Sequence, residues 1–178
     1  MNQISSVKRA CIAAVCVALC CVLPQAFHAV GLGSALSPMH IPVLLCGLVC
    51  GGFYGLLCGV LGPLLSSVLT GMPPAAALVG MLPELAIYGL ASGFLLNHIR
   101  TGKLTADLYI ALAGAMLLGR IAGGISNALF FTGEGGYSLA LWASSYLIGA
   151  VPGIICHLIL VPILVVVLMK ARLIPKRY

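Results

Sequence analysis

Glu84 and Arg120 are ionisable side chains set inside long apolar stretches. Such groups are expensive within a bilayer, so they pair, bind something, or both. Glu84 falls about ten residues from one end of its stretch and Arg120 about eleven from the corresponding end of the next, roughly 15 Å and 16 Å deep at the helical rise. Equal depth allows a buried Glu–Arg bridge joining two helices. It equally allows a ligand site, in which Arg120 meets an anion through its planar donors and Glu84 orients it or accepts from a ligand hydroxyl or amide. Helical spacing extends the second reading. Arg120, Gly124, Asn127 and Phe131 share one face, with Gly123 and Gly124 removing bulk beside the arginine. Glu84 and Tyr88 share another, and Trp142, Tyr146, Gly149 and Gly153 a third. Trp142 and Tyr146 also suit interfacial anchors.

The elements that must hold these residues are set by composition. Of 178 residues, 62% are hydrophobic and 7% charged, and the mean hydropathy is +1.19. A soluble domain needs far more charge to cover its surface. Apolar stretches of about 20 residues recur, each enough for roughly 30 Å of hydrocarbon. The fold expected is an all-α membrane protein, one compact bundle of six transmembrane helices forming a single domain over 1–178. Alternating strands of a barrel are not seen. The helices are expected near Lys8–Val30, Ile41–Cys50, Tyr54–Leu69, Ala75–Ile99, Ala106–Phe131 and Tyr137–Met169. Gly62-Pro63 is expected to interrupt the third, and Pro152 or Pro162 to kink the sixth. Gly47, Gly51, Gly55 and Gly59, four apart, suit close helix packing.

Charge distribution gives the orientation. Lys8 and Arg9 precede the first span, Arg100 and Lys103 lie in an internal connection, and Lys170, Arg172, Lys176 and Arg177 close the chain. The positive-inside rule puts all three segments in the cytoplasm, hence N-in and C-in with an even number of spans. The net charge of +6 marks topology and not a nucleic-acid partner. The first apolar run lacks a clear cleavage site and reads as a retained span.

In the segment "LSPMHIPVLLCGLVCG", residues 36–51, Pro38 to Pro42 form a stiff edge at the outer face, with His40 the residue expected to point inward. His157 is expected towards the cytoplasmic side in a structural role, and His28 near the outer end of the first span. Cys11, Cys16, Cys20, Cys21, Cys46, Cys50, Cys58 and Cys156 all fall in apolar stretches and read as small hydrophobes. Cys46 and Cys50 share a helical face, yet no nearby histidine or carboxylate completes a metal site. No catalytic spacing and no phosphate-cradling loop is present, so neither an enzyme nor a self-powered pump is expected, and no cofactor or metal. A self-sufficient small-solute facilitator or channel remains the alternative; it would spread polar residues along the full depth instead of clustering them in the outer half.

Ala10, Ala14 and Ala18 make a strip of small residues on the first helix, on which another helix can pack. With six spans and the stretches "LSPMHIPVLLCGLVCGGFYGLLCGVLGPLLSSVLTGMPP", "PELAIYGLASG" and "GRIAGGISNALFF", the chain resembles the substrate-binding S component of energy-coupling factor (ECF) transporters, in particular the pantothenate-type branch. The similarity runs from Lys8 to Lys170. It implies a prokaryotic plasma-membrane protein that binds a water-soluble vitamin from outside and docks on a transmembrane T component carrying two cytoplasmic ATPases. The S component would then topple to deliver its ligand. Docking would use Ala10, Ala14 and Ala18. The ligand would lie under a lid containing His40, Met72, Pro73 and Pro74, among Glu84, Tyr88, Arg120, Asn127, Trp142 and Tyr146.

Overall fold

The computed structural model describes residues 5–29, 31, 36–130, 144 and 149–175. Among the described residues six helices follow one another: α1 (Ser6–Ala29), α2 (His40–Cys50), α3 (Gly52–Thr70), α4 (Ala75–His98), α5 (Leu104–Phe130) and α6 (Val151–Lys170). Helices suit this chain because hydrocarbon offers the backbone no other hydrogen-bond partner. All but α2 are long and apolar enough to cross a membrane. Large apolar side chains such as Val68, Leu117, Leu129 and Ile155 cover the outside of the bundle, as lipid contact requires.

Special backbone ends several of these helices. Gly51 alone joins α2 to α3, at φ 97° and ψ 166°, a conformation open essentially only to glycine. Gly71 closes α3 in the left-handed region, its N–H bonded to the Ser67 carbonyl at 2.9 Å. Beyond it, Ser66 and Ser67 donate to the carbonyls of Met72 and Pro73 at 2.7 and 2.8 Å, tying the connection back onto the helix. At the opposite end of α4, buried Asp107 in the first turn of α5 accepts from the Thr101 N–H and hydroxyl, at 2.9 and 2.7 Å.

The expected interruption of α3 is absent, because the helix runs through Gly62 and Pro63. A proline removes one N–H, and in a tightly packed bundle the neighbours can hold the helix across that gap. Both residues are buried, and Gly62 lies against Cys20 of α1. Pro152 sits in the first turn of α6, where its missing N–H costs little. The expected start of the sixth helix at Tyr137 lies outside the described residues.

Helix α2 packs against α1, α3, α4 and α6, and nine of its eleven residues are buried. Its length is about 16 Å, half a bilayer core. Two contacts fix where it begins. The Cys20 thiol of α1, nine residues from that helix's end, donates to the Met39 carbonyl at 3.8 Å. His40 meets Glu84, nine residues into α4. Residues 36–39 therefore lie roughly 14 Å inside the bundle.

Glycine lets α2, α3 and α4 approach to backbone contact. A methyl group on Gly47 or Gly55 would collide with the Gly89 carbonyl, and one on Gly59 with that of Leu85. Gly51, expected in the same packing row, has open space around it and serves the turn.

Candidate functional site

Four helices send polar side chains to one buried cluster. From α4 come Glu84 and Tyr88, one turn apart, and the Tyr88 hydroxyl donates to Glu84 Oε1 at 2.9 Å. Gly119 of α5 makes room for the Tyr88 ring, since a methyl there would strike it. From the start of α2 comes His40, its Nε2 3.6 Å from the same Glu84 oxygen. The His40 ring meets Tyr88 edge-on at 5.2 Å. From α6 comes His157, stacked on His40 at 5.4 Å and fully buried. Arg120 of α5, also buried, acts on Glu84 and His157 through space.

The Ser37 carbonyl organises the two histidines. It accepts from His40 Nδ1 at 3.1 Å, from His157 Nε2 at 3.3 Å, and from the His40 backbone N–H at 3.1 Å. Ser37 reaches this position at φ 44°, an uncommon conformation for a residue with a side chain. That strain is held by the burial of Pro38, Met39 and His40 that follow it.

Expectation and structure agree on the shared face of Glu84 and Tyr88 and on the burial of Arg120. They part on depth and partners. His40 belongs beside Glu84 in the interior and not at the surface, because α2 starts inside the bundle. His40 Nε2 stands 3.6 Å from Glu84 Oε1, a partner that neither expected reading, a bridge to Arg120 or a ligand site, named for the carboxyl group. His157, expected towards the far end, joins the cluster, because α6 begins only at Val151 and its seventh residue lies near the same end as Ser37. Asn127 lies against Gly80 of α4, a turn before Glu84, where a methyl would collide with its side chain. Trp142, Tyr146 and Phe131 lie outside the described residues.

Ser37, His157 and Ser126 carry roles that sequence reasoning did not assign. Ser126 Oγ donates to the Val79 carbonyl at 2.7 Å. Pro83, four residues on, has no N–H to offer that carbonyl, so the hydroxyl from α5 replaces the missing helix bond. A proline inside a span with a serine on the next helix was the available signal.

On α1, Ala10, Ala14 and Ala18 are exposed, while Ala13, Cys16, Cys20 and Pro24 face inward. The alanine strip is thus an outward face of the bundle. The buried thiols of Cys46 and Cys50 donate to the backbone carbonyls of Tyr54 and Arg9, at 3.5 and 3.6 Å. Among the described residues, no group of three histidines, cysteines or carboxylates is arranged to hold a metal.

Comparison with known proteins gives one family. The model of the family "ECF transporter, substrate-specific component" matches residues 8–169. No curated protein and no solved structure matches the chain. The match runs from the first turn of α1 to the last turn of α6, and the chain belongs to this family.

Proposed function

We propose that this substrate-specific component of an ECF transporter binds a water-soluble, anionic vitamin, with pantothenate the best candidate, at the cluster of His40, Glu84, Tyr88 and Arg120. Its family makes it a multi-pass transport subunit that works with a T component and ATPases on a small-molecule substrate. The convergence of buried polar side chains from α2, α4, α5 and α6 is the observation that carries the ligand reading. A guanidinium offers a carboxylate two parallel donors. The second Glu84 oxygen, Asn127 and, by expectation, Tyr146 and Trp142 suit hydroxyl and amide groups. His40 enters this proposal as a site residue from within and no longer as part of a lid, a role kept for Met72, Pro73 and Pro74.

The exposed strip of Ala10, Ala14 and Ala18 supports docking on the T component through α1, since small residues let helix backbones come close. The proposal includes a non-catalytic role, one domain, N-in and C-in orientation in a prokaryotic plasma membrane, two ATPases, and delivery by toppling. The test is a panel of water-soluble vitamins screened for thermal stabilisation of the purified protein, with mass spectrometry of co-purified ligand. Stabilisation by pantothenate above the others is expected. No stabilisation by any vitamin, together with unaided solute uptake in liposomes, would sink the reading in favour of a facilitator.

A further inference from the structure

We propose that His40 and Glu84 together form a buried proton-binding site, holding one proton more than a neutral imidazole beside a carboxylate. The argument rests on which atoms can donate. A carbonyl oxygen only accepts, so both ring nitrogens facing Ser37 carry hydrogen: Nδ1 of His40 and Nε2 of His157. If His40 were neutral, its Nε2 would bear a lone pair. That lone pair would face Glu84 Oε1 at 3.6 Å, an oxygen already accepting from Tyr88. Two acceptors would then oppose each other where both residues are over nine-tenths buried, with little water to screen them. One added proton removes the conflict. It makes either an imidazolium–carboxylate ion pair or a neutral imidazole accepting from a carboxylic acid.

Among the described residues, the elements packed against α2 leave this role to Glu84. From α1, Cys20 turns its thiol to the carbonyl of Met39, the residue before His40. The titratable residues of α3 are Tyr54 and Cys58, neither of them a carboxylate or a base near neutral pH. From α4 come Glu84 and Tyr88, and the Tyr88 hydroxyl is the donor to Glu84. Arg120 of α5 acts on Glu84 through space and is a fixed cation. From α6 comes His157, whose Nε2–H is committed to Ser37 and whose Nδ1 is buried with no hydrogen-bond partner among the described residues. His157 is therefore the neutral member of the stacked pair, and the proton resides with His40 and Glu84. The assignment concerns the protein without ligand.

The test needs no ligand. The full chain is purified in detergent with ¹⁵N-histidine and ¹³C-glutamate, at about pH 7.5, where a solvated imidazole is mostly neutral. Its four histidines are assigned by single substitutions, and its glutamates are Glu84 and Glu134. NMR is expected to show two ring N–H groups on His40 with Glu84 ionised in the infrared spectrum, or one N–H with Glu84 as a carboxylic acid. Glu84→Gln is expected to reduce His40 to a single N–H, on Nδ1. A His40 with one ring N–H beside an ionised Glu84 overturns the proposal, as does a doubly protonated His40 that persists in Glu84→Gln. Should that variant fail to fold, the spectra of the unaltered chain decide by themselves.

Discussion

The hydroxyl of Tyr88 donates to Glu84 Oε1 at 2.9 Å from the next turn of the same helix, and His40 approaches that oxygen from another helix. A carboxylate buried to this degree depends on such donors. Tyr88→Phe keeps the ring against Gly119 and removes the bond. Its expected cost is about 1–3 kcal/mol of stability, the range for leaving a buried polar group without its partner. Thermal unfolding in detergent measures it, and an unchanged midpoint would refute the dependence.

Two glycines separate conformation from packing. Gly51→Ala meets open space but must adopt φ 97°, so a loss of about 1–3 kcal/mol is expected with the fold intact. Gly89→Ala would drive a methyl into the Gly55 backbone, which cannot move without separating α3 from α4. That variant is expected to yield no monodisperse protein on size exclusion. Equal behaviour of the two variants would contradict this division.

Ser126 and Pro83 form a pair joined through the Val79 carbonyl. Ser126→Ala should cost about 1–3 kcal/mol in the natural sequence, because the carbonyl loses its partner. In a Pro83→Ala background the same change should cost less, since an alanine N–H can make the helix bond that Pro83 cannot. A double-mutant cycle with no coupling would show that the hydroxyl does not serve this purpose.

Arg120→Ala should weaken pantothenate binding roughly 10- to 100-fold, the equivalent of a lost charged hydrogen bond, while the protein remains folded. Isothermal titration and a melting curve, taken together, check it. A misfolded product would favour a purely structural arginine, and full affinity would remove Arg120 from the site.

Ala14→Leu should impair uptake by the assembled transporter and leave ligand binding by the solitary subunit intact. The exposed alanine makes room for another helix, and a leucine would hold that helix away. Equal loss of uptake and binding would count against a docking strip.

Regularities within one helix were legible from the order of residues. The apolar runs established membrane helices, because a backbone in hydrocarbon must bond to itself. The four-residue spacing of Glu84 and Tyr88 put both on one face, and that of Ala10, Ala14 and Ala18 made a continuous strip. Position between helices was not legible. Lipid is as apolar as the interior, so the pattern of hydrophobic residues does not mark which face turns inward or how deep a helix begins. The start of α2 inside the bundle moved His40 from the surface to Glu84. The placement of α6 brought His157, about 120 residues away in sequence, onto the same Ser37 carbonyl. Proline signals were misleading for a related reason. Pro63 and Pro83 each delete a bond that their own helix cannot replace, and only at Pro83 is the replacement visible, in Ser126 of α5. Sequence alone determined the kind of protein and the faces of its helices. Tertiary structure decided which faces meet, because backbone contacts at Gly47, Gly55 and Gly89 set how far each helix slides and turns against the next.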